Sequence, residues 1–122
     1  MRAFPVVALI DDDEMMREAV ASLLISAAYR TEHYGSAEAF LAQAAKSEAA
    51  CLIIDMQMGG MSGIELAQRL AKLNFGFPII FLTASNDPRL HNQALELGCI
   101  AYLLKPAGPD QLLDAVALAL HR

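Results

Sequence analysis

The sequence predicts an α/β fold, a single doubly wound five-stranded parallel sheet with helices on both faces, (βα)5. Three observations predict it. Short apolar runs alternate with helix-period segments five times over, and strands that alternate with helices pair in parallel through right-handed crossovers. Several of those runs are apolar throughout, as strands covered on both faces are. The 122 residues, 56% hydrophobic and 19% charged, suit one domain spanning residues 1–122 with a filled core.

The elements follow in order. "PVVALI" (5–10) is an apolar run rich in Val and Ile, the pattern of a doubly buried strand. In 13–28 the apolar residues Met16, Val20, Leu23, Leu24 and Ala27 recur at helical spacing, and Asp13 stands where an N-cap is needed. "RTEHY" (30–34) is a more polar strand, suited to a sheet edge; Gly35 breaks it and Ser36 caps a short helix, "AEAFLAQAAK". "ACLIID" (50–55) is a second buried strand. After the loop "GGMSG", Ser62 and Glu65 form a capping box that opens a helix running to about Leu73, stopped by Asn74 and Gly76. "PIIFLT" (78–83) is the next strand. Asp87 and Pro88 read as N-cap and first helical residue of a helix closed by Gly98. "IAYLL" (100–104) is the last strand, and Pro109 starts the last helix.

In sheets of this kind, sites form at the carboxyl ends of the strands. The first strand ends in Asp11, Asp12 and Asp13, the third in Asp55, and the fourth in Thr83 followed by Ala84 and Ser85; Lys105 and Pro106 follow the fifth. Carboxylates gathered without a counter-charge repel one another. A hard divalent cation changes that, because Mg²⁺ takes oxygen ligands and keeps several waters, so two or three carboxylates suffice. Lys105 offsets the remaining charge, and Thr83 supplies a hydroxyl. Mg²⁺, an ammonium and a hydroxyl around one carboxylate are what phosphoryl transfer to that carboxylate needs, with Asp55 as the nucleophile.

At this point the motifs "LIDDDE", "LIIDMQMGGMSGIEL", "IIFLTAS" and "YLLKPA" together resemble the receiver domain of bacterial two-component response regulators. The resemblance covers essentially the whole chain, and "SAEAFL" and "MSGIEL" are most similar to the FixJ side of the FixJ/NarL-type receivers. It implies a flavodoxin/CheY-like fold and a switch that accepts a phosphoryl group from a sensor histidine kinase or phosphotransfer protein. Residue by residue, it implies Asp55 as phospho-acceptor, and Asp11, Asp12, Asp55 and the Gln57 carbonyl as Mg²⁺ ligands. Thr83 and Lys105 are implied as the groups that assist the transfer, Thr83 and Tyr102 as the switch pair, and Ala84 as the small residue beside the phosphoryl group. It further implies a cis Lys105–Pro106 bond; the surface reshaped on phosphorylation is expected to bind either a partner or a second copy of the chain, as a homodimer.

The pattern is broken in two places. The family usually has Pro four residues after the acceptor, where this chain has Gly59, and a large residue after the Lys-Pro pair, where it has Ala107. No output domain follows within these residues, and a stand-alone receiver and a part of a longer FixJ-like regulator both stay open.

Other functions fit less well. The net charge of -5 and pI of about 5.0, without a basic stripe, argue against a nucleic-acid surface. "GGMSG" lacks the Gly-Lys-Ser/Thr of a phosphate loop. An aspartyl-nucleophile phosphatase needs a second Asp two residues after the first, a position held by Gln57. A degenerate receiver that binds partners without phosphorylation is disfavoured because all five key residues are present. His33, His91 and His121 have no ligand spacing and read as surface residues. Cys51 and Cys99 read as buried free thiols. The apolar part of "RAFPVVALI" is too short for a secretory leader and runs straight into aspartates, and no run is long enough to span a membrane, so a cytoplasmic location is expected.

Overall fold

The computed structural model describes residues 4–121; residues 1–3 and 122, and with them the Arg2 weighed as part of a leader, lie outside. Five strands, β1 (Val6–Ile10), β2 (Arg30–Tyr34), β3 (Ala49–Asp55), β4 (Ile79–Thr83) and β5 (Ala101–Leu104), form one sheet in the order β2-β1-β3-β4-β5. Every neighbouring pair is parallel. The helices between and after them are α1 (Glu14–Ser26), α2 (Ala37–Gln43), α3 (Gly63–Lys72), α4 (Pro88–Glu96) and α5 (Pro109–Leu120). The polar strand β2 is at an edge, where half-exposed side chains cost least, while β1 is buried at every position and β3 at its last five.

Each helix starts where its cap residue stands. Asp13 accepts from the Met16 N–H, Ser36 from Ala39, and Asp87 from Arg89 ahead of Pro88. The Ser62–Glu65 capping box closes in both directions. Two helix ends differ from the sequence reading by more than one residue. The first helix stops at Ser26, because Ala28 turns to φ 69°. The second α-helix ends at Gln43, and Ala44–Lys46 tighten into a 3-10 turn that leads into β3. The third helix ends where expected, with Leu73 its C-cap ahead of Asn74 at φ 63°.

The sheet separates two apolar layers. Ala8, Ile10, Leu52, Ile54 and Phe81 point to the side covered by α2, α3 and α4, and pack on Phe40, Leu66, Leu70 and Ala94. Val7, Leu9, Ile53, Ile80 and Leu82 point to the side of α1 and α5, against Leu24, Leu112 and Val116. This alternation follows from the period of two along a strand. Cys51 is buried, and its burial pushes the thiol up to about 12; Cys99 is only half-buried, because it lies in the turn after α4 rather than inside the sheet.

One glycine fixes the third strand against its helix. A Cβ on Gly63 would come 2.7 Å from the Asp55 carbonyl oxygen, so only glycine lets the start of α3 press against the end of β3. Among the described residues no helix is long and apolar enough to cross a membrane.

Candidate phospho-acceptor and metal site

The parallel register brings the strand ends to one edge. Asp55 pairs with Leu82 in the β3–β4 register, which puts Thr83 one residue beyond it, and β1 lies on the other side of β3. At that edge Asp11 and Asp55 are each only 5% exposed, and Thr83 is fully buried. Lys105 Nζ stands 3.1 Å from Asp55 Oδ1 and 3.5 Å from Asp11 Oδ2. The bond from Lys105 to Pro106 is cis. One carboxylate oxygen from each of Asp11, Asp12 and Asp55 lies within 4.8 Å of the others. The five residues that the sequence reading gathered are thus brought together, while Asp13 turns away to cap α1.

Two groups hold Asp11 from behind. The Asp13 N–H donates to Asp11 Oδ1 at 2.9 Å, and Arg17 Nη1 donates to the Asp11 carbonyl at 2.6 Å. Asp12 is exposed and turned toward the β3–α3 loop, where the Gly59 N–H donates to its Oδ2 at 3.2 Å. A proline at 59 has no N–H, so the departure from the family pattern supplies this contact. Gly60, at φ 74°, turns the same loop back, and Glu38 accepts from the Met61 N–H at 3.1 Å.

Electrostatics at the centre are set by burial first. Burial raises the Asp55 carboxyl above the ordinary aspartate range, the Lys105 hydrogen bond works against that, and the charge of Asp11 adds to the rise. For Lys105, burial alone would lower the ammonium, but the Asp55 hydrogen bond and charge, with Asp11 behind them, outweigh it and leave the amine raised. Asp55 Oδ1 is taken by Lys105 and, at 3.4 Å, by the Gln57 N–H; among the described residues Oδ2 has no hydrogen-bond partner. A carboxylate with one oxygen held and the other unengaged is positioned to act as a nucleophile.

The other side of Asp55 is neutral and closed. Thr83 Oγ1 accepts from Gln57 Nε2 at 2.8 Å and from the Ser85 N–H at 3.0 Å, and its own proton has Gln57 Oε1 at 3.1 Å and the Ser85 carbonyl at 3.3 Å to choose between. The Ala84 N–H donates to Gln57 Oε1 at 3.2 Å. Tyr102 donates its hydroxyl to the Ser85 carbonyl at 3.3 Å and stacks on His91 with ring centroids 4.5 Å apart. Thr83 and Tyr102 therefore meet at one residue, Ser85. The Gln57 carbonyl was expected at the metal and its side chain was not foreseen; a long amide two residues past Asp55, in the loop that follows the strand beside β4, is the available signal.

The oxygen-only donor set of Asp11, Asp12 and Asp55 suits a hard divalent cation better than a soft one. Between α1 and α5, Ala107 borders an open groove of about 210 Å³ lined by Met16, Val20, Leu23, Pro106 and Leu112 among others. A large residue at 107 would fill part of it.

Comparison with known proteins agrees with this geometry. The model of the response regulator receiver domain matches residues 7–117. The response regulator protein TmoT of Ectopseudomonas mendocina is 36% identical over 115 residues, which cover 94% of this chain and 52% of that protein. The transcriptional regulatory protein FixJ of Bradyrhizobium diazoefficiens is 33% identical over 114 residues, 93% of this chain and 56% of that protein. The chain thus spans about half the length of these curated relatives. The crystal structure of FixJ-N matches with a TM-score of 0.90 at 30% identity, over 100% of this chain and 97% of that one. With the family model covering nearly the whole chain, and five parallel strands ending in the acidic cluster that faces Lys105, this chain belongs to the response regulator receiver domain family.

Proposed function

We propose that the chain is a phosphorylation-controlled signalling switch in which Asp55 takes a phosphoryl group from the phosphohistidine of a sensor histidine kinase or phosphotransfer protein. The observation that carries this reading is the buried Asp55 carboxylate, held on one oxygen by Lys105 at 3.1 Å with Asp11 and Asp12 in reach of a shared cation. In the transfer, an Asp55 oxygen forms a bond to phosphorus as the phosphorus–nitrogen bond of the phosphohistidine breaks, and the departing imidazole takes up a proton. Asp11, Asp12, Asp55 and the Gln57 carbonyl would hold Mg²⁺, which supplies neutralisation of phosphoryl charge when bound. Lys105 neutralises a phosphoryl oxygen from the other side, and Thr83 and the Ala84 N–H are the donors for a further one. The chain acts as acceptor in this scheme, not as a catalyst for other substrates.

The output follows from Ser85. Thr83 is tied to its N–H and Tyr102 to its carbonyl, so drawing the Thr83 hydroxyl toward a phosphoryl group perturbs the seat of Tyr102. Tyr102 lies on β5 against His91 of α4. The surface of α4, β5 and α5 would then change shape and bind a partner or a second copy of the chain. A two-state element of this kind is needed, because charge alone is screened over about 8 Å at physiological salt.

The test is incubation with acetyl phosphate and Mg²⁺, read by intact mass. One added phosphoryl group is expected, none with a chelator present. Uptake that ignores the chelator, or no uptake with Mg²⁺, contradicts the reading. In analytical ultracentrifugation with beryllofluoride, Thr83→Ala should associate less than the unaltered chain.

A further inference from the structure

The side chain of Gln57 has no part in the proposed transfer, yet it makes three hydrogen-bond contacts at the edge. Its amide nitrogen reaches the Thr83 hydroxyl at 2.8 Å, and its amide oxygen lies 3.1 Å from the same hydroxyl and 3.2 Å from the Ala84 nitrogen. A threonine hydroxyl has one proton and two acceptor sites. Here Gln57 Nε2 and the Ser85 N–H fill both acceptor sites, and the proton lies between Gln57 Oε1 and the Ser85 carbonyl. Gln57 therefore takes up the Ala84 N–H and offers the nearer of two acceptors to the Thr83 proton, the two donors that a phosphoryl oxygen on Asp55 would need from the β4 side. The residue itself is exposed, and only the tip of its side chain reaches inward to the fully buried Thr83.

We infer that Gln57 is a latch, a positioning residue whose side-chain amide holds Thr83 and the Ala84 N–H in the resting state and must let go before they can bind the phosphoryl group. The inference rests on Asp55 being the acceptor. The latch biases the chain toward rest, because every gain on the phosphoryl side is offset by hydrogen bonds lost on the Gln57 side. It also gives the two ends of one residue different partners: the carbonyl turns to the metal side in the proposed scheme, and the amide to the switch side.

The experiment is amide NMR on the intact chain and on Gln57→Met, which keeps length but removes both polar atoms. Resting spectra are compared with spectra titrated with beryllofluoride in the presence of Mg²⁺. In the resting variant the Ala84 and Ser85 amides should shift, and beryllofluoride should bind about fivefold more tightly, the size expected from releasing one to two hydrogen bonds. Saturated spectra of the two chains should coincide at Ala84. In the unaltered chain the Gln57 side-chain amide protons should show contacts to Thr83 at rest and lose them at saturation, a measurement that needs no variant. Equal or weaker binding by Gln57→Met, or Gln57–Thr83 contacts that persist at saturation, overturns the latch and leaves Asp55 as acceptor. If neither chain takes up beryllofluoride at Asp55, the acceptor reading fails and the latch with it.

Discussion

Asp55 has two unlike sides. Toward β1, Asp11 and Asp12 join Asp55 in a group of carboxylates that Lys105 enters with its ammonium, and among the described residues Asp12 is held by the Gly59 N–H at 3.2 Å. Toward β4, the groups are neutral and their hydrogen bonds are complete, with the Gln57 amide closing the set around Thr83. The acidic side is short of positive charge and gains by taking something in. The hydroxyl side has nothing to gain until something is taken out. In the proposed function a phosphoryl group on Asp55 needs both changes, metal taken in on the acidic side and hydrogen bonds released on the hydroxyl side.

The acidic side can be broken most severely at Lys105, the ammonium that reaches the carboxylates. Lys105→Met removes the ammonium shared by Asp55 and Asp11, and the initial rate of phosphorylation by acetyl phosphate should fall about 100-fold, the scale for loss of one preorganised charge-stabilising group. Rates are read by intact mass over time; a loss below about threefold would mean that Lys105 is a structural counter-ion only.

Next in size is the metal response. Binding to the folded state alone adds about 1.4 kcal/mol at tenfold excess over the dissociation constant, so Mg²⁺ should raise the melting temperature by several degrees. Asp12→Ala should abolish the rise. An equal rise in both chains would remove Asp12 from the site.

The pH dependence sharpens the comparison further. The folded Asp55 carboxyl is raised, chiefly by burial, so the native state holds that proton more tightly than the unfolded chain does. Stability therefore falls as pH rises through the interval between the unfolded and folded values, and the charged form subtracts stability above it. Without metal, Asp55→Asn should melt higher than the unaltered chain at neutral pH, and the gap should close as pH falls from the raised folded value to the ordinary carboxylate range. A gap that stays constant with pH would contradict the assignment of the cost to ionised Asp55.

The smallest effect is expected at the loop. Gly59→Pro deletes the N–H that donates to Asp12, and a Cβ at 59 meets nothing within 4 Å. Relieving Asp12 of this competitor should tighten Mg²⁺ binding about threefold, the worth of one weak hydrogen bond, as read by thermal titration.

Much of the site was legible because its residues end strands, and strand ends in a parallel sheet share an edge. Asp11, Asp12, Asp55, Thr83 and Lys105 could be placed together from the order of apolar runs alone, and Asp13, Ser36, Ser62 and Asp87 cap the helices the reading gave them. What stayed hidden depends on where side chains of intermediate length point. Gln57 reaches across to β4, Gly59 meets Asp12 from 47 positions away, and Ser85 joins Thr83 to Tyr102 through its backbone. None of these contacts has a period or a spacing. The departure at Gly59 was visible as a lost proline, but the N–H it gains acquires meaning only once Asp12 is seen beside it. Ala107 was likewise visible as a missing large residue, and the groove it opens required the positions of α1 and α5.

The central claim, that Asp55 is the acceptor, is tested most directly by locating the phosphoryl group. After treatment with acetyl phosphate and Mg²⁺, borohydride reduces an aspartyl phosphate to homoserine, and tandem mass spectrometry reads which residue has changed. Homoserine is expected at position 55 alone, with none in a sample treated without Mg²⁺ and none in Asp55→Asn. Homoserine at position 11, 12 or 13, or reduction at 55 that is indifferent to Mg²⁺, would contradict it.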